Sequence, residues 1–150
     1  MTKSNSKKLK FVKEFILSLN LNKTFEIGFE KQEGSACAIE VYEKSENKSI
    51  DFKLLFNSDF FDFHTELELK AYLLHEIGHL MTSVGPNSGV NEYLAYEWSY
   101  KKAKELKAYD ITKEIKDQIF GLNTKATRGD ASQIYAKAYK LAIKLNLFYS

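Results

Sequence analysis

Leu67-Glu68-Leu69-Lys70-Ala71-Tyr72-Leu73-Leu74-His75-Glu76-Ile77-Gly78-His79-Leu80-Met81 is the stretch on which the reading of this chain turns. Its apolar residues recur at helical spacing, and Thr65 followed by Glu68 is a capping-box signature just ahead of it. Residues four apart on an α-helix lie about 40° round and one turn along, so His75 and His79 project from one face. Two imidazoles so placed can reach one Zn²⁺ at about 2.0–2.1 Å. Glu76, about 100° from His75, stands beside the metal and can act on its water as a general base. Leu73, Leu74, Ile77, Leu80 and Met81 surround the pair with apolar groups. Gly78 costs about 1 kcal/mol in a helix interior, a cost offset if another backbone or the metal must approach closely there.

A catalytic zinc site needs a third protein ligand and an open position. No histidine follows His79, and His64, upstream near the cap, is a lesser candidate. Beyond the turn-rich Gly85-Pro86-Asn87-Ser88-Gly89, a helix is expected from about 91 to 108. Glu92 near its start shares a stripe with Ala95, Ser99 and Ala103, small residues that permit close helix packing. Glu97 lies about 140° away, beside Tyr93, Lys101 and Lys104. Only one of the two acids can face the histidines, and Glu92 is favoured. Tyr93, Tyr96 and Tyr100 are read mainly as packing, with a possible role in donating to an oxyanion. Arg128, the only arginine, is a candidate for a substrate carboxylate.

Upstream, residues 7–20 read as an amphipathic helix, and Thr24–Glu30, Ala36–Tyr42 and Ser49–Phe56 as strands. With hairpin turns at Lys31–Ser35 and Glu43–Lys48, they predict a three-stranded antiparallel meander. Further helices are expected near 111–120 and 130–145, the last opened by Gly129-Asp130. The expected fold class is α+β: a small antiparallel sheet packed on a helical body within a single domain, 1–150. The strand Ser49–Phe56, taken as exposed, would bind extended substrate by strand addition. Phe60-Phe61-Asp62-Phe63 would flank the cleft or belong to the core.

Bulk properties narrow the classes. At 150 residues with 44% hydrophobic and 28% charged, the chain can bury a real core, which excludes wholesale disorder. A net charge of +2 gives little electrostatic reason for nucleic-acid binding. The lysine-rich start (Lys3, Lys7, Lys8, Lys10, Lys13) reads as a solvated helix face rather than a docking site for an acidic partner. Cys37 alone forms no internal disulfide and reads as a buried small hydrophobe. Without a membrane span or signal peptide, a cytoplasmic location is expected.

His75-Glu76-Ile77-Gly78-His79 followed by Asn91-Glu92-Tyr93-Leu94-Ala95 resembles the gluzincin pattern of HExxH with a downstream ExxA helix. Within it, the spacing is most similar to the ImmA/IrrE-like metallopeptidases of bacteria, phages and mobile elements, over about residues 65–105. The resemblance implies a zincin-like fold with a sheet edge over the active-site helix, Zn²⁺ held by His75, His79 and Glu92, and Glu76 as catalytic base. It also implies a protein substrate, of the transcriptional-regulator kind such enzymes cleave. One departure stands out: such families often carry Asp or Asn four residues after the glutamate, to bond a ligand histidine. Here that residue is Tyr96, whose hydroxyl is the candidate substitute. The reading is thus a zinc peptidase; the competing class is a catalytically silent zincin-like module that binds a partner.

Overall fold

The computed structural model describes residues 3–30, 39–42, 51–57, 60–82, 85–86, 88–125 and 132–145. Its contacts cluster into two compact units, Met1–Leu69 and Lys70–Ser150. Among the described residues five helices dominate, against three strands of 6, 4 and 6 residues.

In the first unit, α1 (Lys3–Ser18) turns Val12, Phe15, Ile16 and the following Leu19 inward and leaves Lys7, Lys10 and Lys13 exposed. These spacings of three and four residues are what one buried helix face requires. Asn20 ends the turn in the left-handed region, φ 54°, where its short polar side chain is tolerated.

The sheet contains β1 (Phe25–Glu30), β2 (Ile39–Tyr42) and β3 (Phe52–Asn57) in the order β1-β3-β2. β3 runs parallel to β1, from Phe25 beside Phe52 to Glu30 beside Asn57, and antiparallel to β2. The expected three-stranded antiparallel sheet of an α+β fold is therefore overturned. Two hairpins would have put β2 in the middle; β3 takes that place instead. The physical reason is visible in its sequence: Leu54, Leu55 and Phe56 are consecutive and all buried, as a strand covered on both faces must be. A second correction follows. With both of its edges hydrogen-bonded, the strand expected to accept an extended substrate has no free edge to offer.

The parallel register is pinned at its start. The Thr24 amide and hydroxyl donate to Asp51 Oδ2 at 2.9 and 3.1 Å, and the Asp51 amide donates to Thr24 Oγ1 at 2.9 Å. Paired phenyls continue it: Phe25 with Phe52 and Phe29 with Phe56, both at 5.6 Å between centroids. Phe61, in the 3₁₀ turn Phe60–Phe63, meets Phe29 and Phe56 edge-on, so it belongs to this unit's core.

α2 (Glu66–Thr82) passes from the first unit into the second, which continues with α3 (Ser88–Glu105), α4 (Tyr109–Lys125) and α5 (Ser132–Lys144). α3, α4 and α5 pack on one another. Ile111, Ile115, Ile119 and Leu122 form the buried face of α4, and Ala138 and Ala142 that of α5. α3 closes with Lys107 at φ 57°, its amide bonded to Lys104 and that of Ala108 to the Ala103 carbonyl. This Schellman arrangement satisfies carbonyls the helix would otherwise leave unpaired. Glycine is the usual residue there, so a lysine hid the boundary and the helix was expected to run on to 108. The Gly129-Asp130 cap expected ahead of α5, the hairpin turns, Cys37 and Arg128 lie outside the described residues. Among the described residues no helix is long and apolar enough to cross a membrane.

Candidate metal centre

The start of α2 is set by a reciprocal cap. The Glu68 amide donates to Thr65 Oγ1 and the Thr65 amide to Glu68 Oε1, each at 3.2 Å. His64 Nδ1 stands 3.5 Å from Glu68 Oε2; it serves the cap and is not part of the group described next.

About two to three turns along, α2 buries Leu73, Leu74 and Ile77. That apolar stripe sets the rotation of the helix, and with it the direction of His75 and His79. α3 answers with Ala95, Ser99 and Ala103, all with no exposed surface. The approach is close at Gly78, where a Cβ would lie 2.7 Å from the Ala95 carbonyl oxygen and 3.0 Å from its Cα. Backbone, not a flexible side-chain tip, occupies that space, so only glycine fits. Gly78→Ala should therefore be destabilising by about 1–3 kcal/mol despite a helix-propensity gain of about 1 kcal/mol, because overpacking against backbone outweighs it. Urea denaturation measures this, and an unchanged or raised midpoint would contradict the close approach.

Across that contact, Glu92 spans both histidines. His75 Nε2 lies 2.9 Å from its Oε2, and His79 Nε2 lies 3.0 Å from its Oε1. The imidazoles meet edge-to-face, 4.7 Å between centroids. Among the described residues, His75, His79 and Glu92 can hold a metal ion, with one ligand atom from each lying within 4.8 Å of the others. The donor set fits zinc. Ligands about 2.0–2.1 Å from a tetrahedral ion stand about 3.3 Å apart, close to the 2.9 and 3.0 Å between each Nε2 and its own oxygen of Glu92 and inside the 4.8 Å that bounds the group. His75 is buried, with 7% of its side chain exposed, whereas His79 and Glu92 retain 22% each, so the cluster reaches solvent on one side.

Electrostatics follow from this geometry. Burial alone would raise the Glu92 pKa, but hydrogen bonds from both histidines outweigh it and hold the carboxyl far below its ordinary value. Burial likewise opposes charge on His79; the Glu92 hydrogen bond, with the charges of Glu92 and Glu76, prevails and raises its pKa. Glu76 is raised by burial, only partly offset by the two histidines.

These directions define a pH window for the protein stripped of metal. The raised His79 contributes stability below its ordinary value of 6.5, lost as pH climbs through the raised one. The lowered Glu92 contributes above 4.5, lost only as pH falls through its depressed value. The pair thus stabilises the stripped protein most between about pH 4.5 and 6.5. A zinc ion must displace the His79 proton, so zinc affinity is expected to rise with pH beyond 6.5. Titration calorimetry in buffers of different ionisation enthalpy would detect the released proton; pH-independent affinity across that range would contradict the coupling.

The other acids and phenols are engaged elsewhere. Glu97 accepts from the Tyr93 hydroxyl and pairs with Lys101 at 3.4 Å, so it is not the third member. That bond also occupies the Tyr93 hydroxyl, and burial together with Glu97 raises its pKa strongly. Tyr100 is buried, with the ammonium groups of Lys104 and Lys116 at 5.6 and 5.4 Å from its ring. Tyr96 touches His75, and not by its hydroxyl: its ring lies against that of His75, centroids 3.9 Å apart and planes inclined by 34°. His75 Nδ1 is buried with no hydrogen-bond partner among the described residues. The expected hydroxyl-to-histidine bond is thus replaced by ring contact. Position 96, four residues beyond Glu92, signalled a neighbour of the histidines, but spacing could not tell which part of the side chain would meet them. No family model, no curated protein and no solved structure matches the chain.

Proposed function

We propose that this chain is a zinc-dependent peptidase, with His75, His79 and Glu92 as metal ligands and Glu76 as general base. The observation that carries the reading is the placement of both Nε2 atoms within 3.0 Å of one carboxylate. A structural zinc site is ordinarily closed by four protein ligands, whereas three ligands with a solvent-facing side suit catalysis.

Zinc held there supplies Lewis acidity toward a scissile carbonyl and lowers the pKa of water. Glu76 takes the proton from the attacking water and delivers it to the departing amine nitrogen. Its raised pKa suits both halves of that task, since a strongly acidic carboxyl would accept the proton poorly. His75, His79 and Glu92 hold position throughout. The resemblance of the HExxH and NExxA segments favours a protein substrate, such as a transcriptional regulator, cut in the cytoplasm.

Metal removal tests the assignment. The purified protein should carry one zinc per chain, lose peptide hydrolysis on chelation and regain it on zinc addition. Activity indifferent to chelator would end the proposal.

One observation favours a second reading. The Tyr93 hydroxyl is bound to Glu97, so it is not presented as an oxyanion donor. A zinc-holding module that binds a partner without cleaving it would show one zinc per chain and no turnover of any peptide library.

A further inference from the structure

We infer that Tyr96 is a positioning residue for the metal centre, its ring fixing the His75 imidazole by contact where a hydrogen-bond acceptor would ordinarily do so. The inference rests on the zinc reading for its purpose, though the contact itself does not. A histidine that gives Nε2 to a metal carries its proton on Nδ1, and that N–H normally meets a carboxylate, a carbonyl or water. Here His75 Nδ1 is buried and meets no hydrogen-bonding group among the described residues. The ring is nevertheless confined: Tyr96 covers one face at 3.9 Å and His79 meets it edge-to-face at 4.7 Å. Rotation of the imidazole would drive it into the Tyr96 ring, which is itself buried at 6% exposure. α3 supplies both parts of this arrangement, since Tyr96 follows Glu92 by one turn and shares its face.

The two ways of holding an imidazole differ in consequence. An acceptor on Nδ1 orients the ring and also makes Nε2 more basic; a stacked phenol only orients it. The ring of Tyr96 should therefore matter and its hydroxyl should not.

Tyr96→Phe and Tyr96→Leu separate these parts, with Ile119→Val on α4 as a control for general loosening of the core. Two readouts are needed: zinc affinity by chelator competition, and the imidazole proton resonances of His75 in chelator-treated protein, which an adjacent aromatic face displaces. Tyr96→Phe should bind zinc within about 3-fold of wild type and keep the displaced His75 resonances. Tyr96→Leu should bind about 10- to 100-fold more weakly, the usual cost of losing an outer-shell partner, and lose the displacement. Ile119→Val should lower the melting temperature and leave zinc affinity alone. Equal weakening in Tyr96→Phe would assign the role to the hydroxyl and overturn the inference, as would wild-type affinity and resonances in Tyr96→Leu. If wild type takes up no zinc while the resonances behave as described, the hold on His75 stands and the peptidase reading falls.

Discussion

Glu76→Gln is expected to lower peptide hydrolysis by about 10²- to 10⁴-fold while leaving zinc content at one per chain. Glutamine keeps the length and shape of the side chain but cannot take a proton from water. Because Glu76 is not one of the three converging groups, metal should be retained. It acts on His79 through its charge, which helps raise that histidine's pKa. Removing that charge lets His79 give up its proton more easily but also removes an attraction for the dication, so zinc affinity should change little. The combined signature, lost turnover with metal binding retained, distinguishes a general base from a ligand. Equal loss of zinc and turnover would place Glu76 on the metal; undiminished turnover would remove it from the mechanism.

The candidate centre was legible in the sequence because each part of it is local. Four-residue spacing on α2 decides that His75 and His79 share a face, and the small residues Ala95, Ser99 and Ala103 mark the stripe of α3 that comes close. Glu92 follows from that stripe, as does the exclusion of Glu97. The sheet was not legible for the opposite reason. Whether β3 pairs with β1 or only with β2 depends on contacts between distant residues, such as the Thr24–Asp51 clamp, and no short spacing encodes them. One clue was available: Leu54-Leu55-Phe56 lacks the alternation of a half-exposed edge, so the central position was written there but weighed less than the turn-like residues between the strands. The contact between Tyr96 and His75 lies between these cases, with the position readable and the mode of contact not.

Replacing Glu92 should have the largest effect on the metal itself. Loss of one of three protein ligands should weaken zinc affinity by about 10²- to 10⁴-fold, since metal binding rests on the full ligand set. Glu92→Ala removes the carboxylate; Glu92→Gln keeps its size but offers one oxygen in place of two, and an NH₂ that opposes a metal. Both should lose zinc, and Glu97→Ala should not, since Glu97 is held by Tyr93 and Lys101. The stripped protein should also suffer. Glu92 accepts from two histidines at 2.9 and 3.0 Å, and hydrogen bonds to a charged group contribute about 1.5–3 kcal/mol each when well enclosed. With Glu92 and His79 partly open to solvent, a total of about 1–3 kcal/mol is the reasonable expectation for Glu92→Ala. That loss should be greatest between about pH 4.5 and 6.5, where carboxylate and imidazolium coexist, and should shrink as pH rises through the elevated His79 value. Denaturation of chelated wild type and Glu92→Ala across that range tests it. A stability difference that grows on alkalinisation would mean the carboxylate does not hold a protonated histidine. Zinc affinity that survives in Glu92→Ala but collapses in Glu97→Ala would transfer the third ligand to the other acid.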